Sequence, residues 1–159
     1  MKTTKKGFTL IELIVVIAII AVLAAILVPA MLGYIRKSKV SSANSAAATL
    51  YKGINTALTE LDEAGGFIPD NDYTSLTVTA THAPDGYDFE AAVTKFAKLN
   101  TSAEIAFTID SQACISAAYA TNGTYTGTYP SGIVNADNYT SFSGNPVLAN
   151  SLAASKARA

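Results

Sequence analysis

The chain has 159 residues, which is enough for one modest domain and one long appended element. Its net charge of −1 is unevenly distributed, because three lysines lie within the first six residues whereas four Lys and Arg residues accompany eight Asp and Glu residues from Ala64 onward. A mildly acidic C-terminal part disfavours direct nucleic-acid binding, which needs clustered basic side chains. Cys114 is the only cysteine, so an intrachain disulfide is excluded.

Residues 8–28 form an apolar run that contains one charge, Glu12. As a helix this run would be about 30 Å long, which is the thickness of the hydrocarbon core of a bilayer. Lys2, Lys5 and Lys6 precede it, so we expect the N-terminus to be cytoplasmic and the rest of the chain to be exported.

Two ordinary interpretations of this run leave Glu12 unexplained. One is a secretory signal peptide cleaved near Ala24 or Ala25, and the other is a simple signal anchor. A carboxylate one turn inside an apolar segment costs about 2–3 kcal/mol on insertion scales, so it needs a partner or a function.

The segment Lys6–Glu12, which reads KGFTLIE, resembles the processing site of type IV prepilins and pseudopilins. The resemblance implies that a membrane-embedded prepilin peptidase cuts after Gly7 and methylates the new N-terminal residue, Phe8. It also implies that Glu12 is the family's acidic residue five places into the mature chain. Residues 1–7 would then be a cleaved leader, and residues 8–28 a transmembrane helix that later lies in the core of a filament.

Cleavage after Gly7 would create a positive amine at Phe8, about one turn from the negative Glu12. Isolated charges are costly in a low-dielectric helix bundle, but a pair compensates if the amine of one subunit meets the carboxylate of a neighbour. The resemblance implies this intersubunit pairing. The alternative is that Glu12 simply lies at the lipid–water interface.

Residues 29–63 are predicted to continue the helix as an amphipathic half with one apolar stripe. The helix should end near Glu63, because Gly65 and Gly66 follow. Pro29 and Gly33 weaken its hydrogen-bond ladder, so either local melting or a mild kink is expected there. The stripe consists of Leu32, Ile35, Val40, Ala43, Ala47, Leu50, Ile54, Ala57, Leu58 and Leu61.

Residues 64–159 are predicted to form a globular α+β head with a small antiparallel sheet, so the whole chain is α+β. We expect a helix over 88–99, strands over 104–110, 113–120 and 124–129, and a hairpin turn at Asn122-Gly123. A short strand is expected at 74–80. Residues 131–159 are expected to be irregular, with 147–152 packing back.

Other candidate residues favour structural roles over catalysis, so no enzymatic activity, cofactor or metal site is predicted. His82 is isolated in a loop, Cys114 lies in an apolar strand, and the segment 70–72 lacks the Gly and closing Glu of a calcium loop. Six tyrosines of the head favour packing, although exposed ones would suit contacts with sugars. Three Asn-X-Ser/Thr matches, at Asn100, Asn122 and Asn138, carry little weight in a chain of this composition.

Three functions remain open on the sequence. The first is a type IV pilus subunit whose partners would be the peptidase, other copies of itself and related pilins, an inner-membrane assembly platform and, before assembly, the lipid bilayer. Such a chain would be a single-pass membrane precursor and then part of an extracellular filament. The second is a pseudopilin of a type II secretion system, and the third is a membrane-anchored module that binds carbohydrate or another surface.

Overall fold

The computed structural model describes residues 7–98, 103–121 and 123–159. The chain divides into two compact units, residues 1–36 and 37–159. The described elements are α1 (Leu10–Glu63), β1 (Asn71–Tyr73), α2 (Phe89–Ala97), β2 (Glu104–Asp110), β3 (Ala113–Thr121), β4 (Tyr125–Tyr129), a 3-10 helix (Tyr139–Phe142) and α3 (Pro146–Arg158).

In the first unit, the chain is helical from Leu10 onward. Every residue from Gly7 to Arg36 is exposed, including all the large aliphatic side chains. Helix α1 continues through Pro29 and Gly33.

In the second unit, α1 supplies the apolar stripe of the core. Burial begins at Val40 and ends at Leu61, whereas Leu32 and Ile35 of the predicted stripe are exposed. The helix then stops as expected. Gly65 has φ +80°, and the N–H groups of Gly65 and Gly66 donate to the carbonyls of Asp62 and Leu61, so the helix ends in a Schellman motif.

The four strands form an antiparallel sheet in the order β1-β2-β3-β4. A two-residue turn joins β2 to β3, and its residues Ser111 and Gln112 have φ of 55° and 61°. Such positive φ values are strained for side chains other than glycine. Both turn N–H groups donate to the carboxylate of Asp70, at 2.9 and 3.2 Å, which stabilises the turn from outside the hairpin.

The two faces of the sheet pack mainly against different helices, although Val40 of α1 joins the cluster on the α3 face. Phe107, Ile109, Ala117 and Tyr119 belong to the core cluster that contains the α1 stripe. The opposite face carries Thr108, Ser116 and Ala118, and α3 packs there through Ala149 and Asn150. The sheet therefore lies between α1 and α3, which is an α+β arrangement.

Helix α1 also binds the strands through two asparagines. Asn55 accepts from Cys114 N (3.0 Å) and donates to Cys114 O (3.2 Å), beyond the point where β4 stops pairing with β3. Three turns earlier, Asn44 accepts from Thr128 N on the outer edge of β4 (2.8 Å). One N–H group of the edge strand β4 is thus hydrogen-bonded to a side chain of α1, which partly protects this edge from pairing with other chains.

The predictions for β2, β3 and β4 are confirmed, as is the helix that starts after Asp88. Two expectations are wrong. Residues 74–80 contain no strand, because the chain pairs with β2 earlier, at Asn71–Tyr73. Residues 146–158 are helical, not irregular, since Pro146 and the Asn145 cap begin α3. The predicted turn residue Asn122 lies outside the described residues.

Candidate functional site: the N-terminal segment

The start of α1 is stabilised by a reciprocal pair of contacts between Thr9 and Glu12. Thr9 N donates to Glu12 Oε2 (2.8 Å), and Glu12 N donates to Thr9 Oγ1 (3.3 Å). The Thr9 hydroxyl donates to the same carboxylate oxygen (2.6 Å). This is a capping box, in which residues three apart satisfy N–H groups that the first helical turn leaves without partners.

The capping box gives Glu12 a local role that its isolation in the sequence did not suggest. The carboxylate lies at the N-terminal end of α1, where the helix dipole favours negative charge. It is also held against the backbone N–H of the residue that follows Phe8. Sequence reasoning missed Thr9, although the spacing Thr-x-x-Glu before an apolar run is a recognised signature of a helix start.

The segment that follows is the most apolar part of the chain. Its helix contains an 18-residue window of mean hydropathy 3.3, and none of that window is buried. By length and composition it could cross a membrane. Phe8 itself is 87% exposed, so the side chain next to the predicted cleavage point makes little contact with the described chain.

Pro29 and Gly33 both lie in this exposed part of α1. Proline has no N–H, so the carbonyl of Ala25 lacks its usual helical donor. A Cβ added to Gly33 would meet nothing within 4 Å, so no contact requires glycine there. The expected kink or melting at these residues stays a prediction.

The other candidate residues have structural environments. Cys114 is buried in β3, and burial raises the pKa of its thiol to about 12, which disfavours the reactive thiolate. His82 is exposed in a loop, with its ring stacked near Phe67 at 6.0 Å between centroids. Asp70 holds the β2–β3 turn, and Asn138 donates its side-chain N–H to the Ile133 carbonyl. Among the described residues, no group of three or more His, Cys, Asp or Glu side chains is placed to hold a metal ion.

The tyrosines of the head act mainly in packing. Tyr73 stacks on Phe107, with 5.2 Å between ring centroids, and Tyr125 stacks on Tyr139 at 5.1 Å. Tyr87 donates its hydroxyl to the Ala57 carbonyl, and burial raises the pKa of that phenol. These contacts give four of the six tyrosines a role in packing.

Comparison with known proteins gives a family match for the N-terminal segment. Residues 2–28 match the family described as the prokaryotic N-terminal methylation motif. The N-terminal segment of the chain therefore carries the prokaryotic N-terminal methylation motif. Joined to a long helix packed on a four-stranded antiparallel sheet, this segment gives a pilin-like architecture.

Curated relatives agree over part of their length. One protein named type IV major fimbrial protein FimA, from Dichelobacter nodosus, is 46% identical over 65 residues, which is 41% of this chain and 42% of the relative. A second protein of the same name and organism is 47% identical over 58 residues, or 36% of this chain and 37% of the relative. The matches thus span about two fifths of these relatives. No solved structure gives a significant match.

Proposed function

We propose that this chain is the structural subunit of a type IV pilus. It is made as a single-pass membrane precursor, cut by a prepilin peptidase after Gly7, N-methylated at Phe8, and polymerised through its N-terminal helix. One observation carries the proposal: α1, whose first part lies within the family match at residues 2–28, exposes all its apolar side chains from Leu10 to Ile35. Such a surface is unstable in water and must be covered by other molecules.

Two environments cover this surface in turn. Before assembly the bilayer surrounds residues 8–28, with the lysines of the leader on the cytoplasmic side. After removal of residues 1–7, an inner-membrane assembly platform transfers the helix from lipid into a bundle of identical helices. The relatives are named as fimbrial proteins, which favours a pilus over a pseudopilin.

Glu12 and the amine created at Phe8 would be the only charges within residues 8–28 of the mature chain. Pairing between the amine of one subunit and the carboxylate of another removes two unpaired charges from the filament core at once. This supports a role for Glu12 in assembly that goes beyond capping its own helix.

The processing step is tested by the intact mass of the protein recovered from sheared surface filaments. A mass that starts at methylated Phe8 is expected, and electron microscopy of the same sample should show filaments. A mature chain that begins near Ile26 would identify a signal peptide and overturn the proposal.

The role of Glu12 is tested with two substitutions that separate charge from capping. Glu12→Ala removes both, whereas Glu12→Gln keeps a side chain that can complete the capping box but carries no charge. If charge pairing drives assembly, both variants are processed normally and both lose filaments. Normal filaments from Glu12→Gln would show that capping alone is required.

A further inference from the structure

The second unit carries opposite charges at two separate places on α1. Lys37 and Lys39 are exposed near its beginning, and Asp62 and Glu63 are exposed at the end of the helix. Within the described chain, none of these four side chains makes an ion pair or a side-chain hydrogen bond. Both charge groups are therefore available to an external partner.

The position of the acidic pair opposes the stability of the helix. The C-terminal end of a helix carries a partial negative charge, so carboxylates in the last turn are unfavourable there and basic residues are favoured. The last turn of α1 contains no basic residue, although it contains Asp62 and Glu63. A stabilising role within the subunit does not explain these carboxylates.

The two charge groups cannot meet within one subunit. Lys37 and Asp62 are 25 residues apart on α1, and at 1.5 Å per residue this is about 37 Å along the helix. Exposed charges separated by more than about 8 Å are largely screened at physiological salt. A second copy shifted by the same distance would bring its lysines to the level of these carboxylates.

We infer that Lys37 and Lys39 of one subunit pair with Asp62 and Glu63 of another copy in the filament, as a contact between the amphipathic halves of two α1 helices. The inference rests on the proposed function, since it requires copies aligned along a common axis. Pairing of the Phe8 amine with Glu12 requires a shift of only about four residues, or about 6 Å. The two contacts therefore join a subunit to different neighbours.

The alternative occupant of the lysines is the outer surface of the membrane, because anionic lipid headgroups attract basic residues close to a membrane helix. That interpretation leaves the acidic pair unexplained. A second copy accounts for both groups with a single contact, and so the observations favour it.

The test is charge reversal in the full chain, with filament yield measured after shearing. Lys37→Glu with Lys39→Glu, and separately Asp62→Lys with Glu63→Lys, should each lower the yield at least tenfold. The combined variant restores opposite charges with exchanged positions and should recover most of the wild-type yield. High salt should weaken wild-type filaments and the combined variant alike.

Matched controls reverse exposed charges elsewhere. Lys52→Glu with Lys98→Glu changes the net charge as the first variant does, and Asp85→Lys with Glu104→Lys changes it as the second does. Both controls should assemble normally. Asp62→Lys with Glu63→Lys replaces unfavourable charges at a helix end with favourable ones, so its melting temperature in detergent should not fall. Loss of filaments by that variant is therefore not explained by misfolding.

Each remaining result overturns the inference. If the reversal of the lysines and the reversal of the acidic pair each gave a normal filament yield, the inferred contact between copies would be rejected and the proposed function would stand. Loss of filaments only on reversal of the lysines would assign them to the membrane surface. Failure of the combined variant to recover filaments would show that the two groups do not pair. Absence of filaments from the wild-type chain would remove the proposed function, and the inference with it.

Discussion

Replacement of Gly127 by alanine should destabilise the head strongly, because α1 and β4 approach each other too closely there for any side chain. A Cβ at residue 127 would overlap main-chain atoms of Ala43 and Asn44. Overpacking in a core costs about 1–3 kcal/mol when side chains can adjust. Main-chain atoms cannot, so α1 would have to move away from β4, which would also lengthen the 2.8 Å hydrogen bond from Thr128 N to Asn44. We expect a loss of about 3 kcal/mol or more.

The assay is thermal unfolding of the full chain in detergent, followed by near-ultraviolet circular dichroism of the tyrosines, since the chain has no tryptophan. For a folded unit of this size, 3 kcal/mol lowers the melting temperature by about 10 °C. Gly33→Ala is the control, because its added Cβ meets nothing within 4 Å and alanine favours a helix. A Gly127→Ala variant that melts within 2 °C of wild type would refute the close approach.

Two further predictions concern buried polar groups. Asn150→Ala should lower the free energy of unfolding by about 2–3 kcal/mol. Asn150 donates a hydrogen bond to Thr108 and accepts one from Ser116, both at 2.9 Å, so the change removes a partner from each hydroxyl. Ser151→Ala, at an exposed residue, is the control in the same unfolding assay. Burial raises the pKa of the Cys114 thiol from 9.0 to about 12, so the buried neutral thiol contributes its full stability below pH 9. Between pH 9 and 12 this contribution to the free energy of unfolding is lost by about 1.4 kcal/mol per pH unit. Urea unfolding between pH 8 and 11 should give a shallower decline for Cys114→Ala, and equal slopes would contradict the burial effect.

The parts of the fold that sequence predicted well are those that depend on local patterns. The stripe of α1 follows helical spacing from Val40 to Leu61, and Gly65 ends the helix by adopting a positive φ. Strands β3 and β4 flank the turn signal Asn122-Gly123 in the sequence. In each case the decisive residues lie within a few positions of one another, so a local pattern was enough.

Strand β1 could not be predicted because distant contacts place it. Asp72 accepts a hydrogen bond from Thr108, and Asp70 binds the turn at Ser111 and Gln112. Residues 74–80 have a more strand-like composition but lack these contacts. The acidic residues of this segment serve to join it to a hairpin some 40 positions further along the chain.

Helix α3 was not predicted because its large apolar residues are exposed and do not form a stripe that faces the core. Val147, Leu148 and Leu152 are exposed, whereas Ala149 and Asn150 are buried. Small residues on the facing strands, such as Ala118, match small residues on the helix. The spacing of large aliphatic residues therefore did not predict a helix. Asn150 did not help, because asparagine is more typical of loops than of a buried helix face.

The N-terminal segment was predictable as a motif, but the structure changes the argument about Glu12. The cost of its carboxylate in an apolar helix is partly offset within the same chain, since Thr9 and the first turn of α1 satisfy it. A glutamine would complete the same capping box without placing a charge among apolar residues. Capping therefore explains why Glu12 is tolerated, and the proposed positive partner would explain why the residue is charged. The amine created by cleavage after Gly7 would lie one residue before the Thr9 N–H that Glu12 already binds, and neighbouring subunits would offer the same amine. Each mature subunit would bring one amine and one carboxylate, so register would decide which amine each Glu12 contacts and not the net charge of the core.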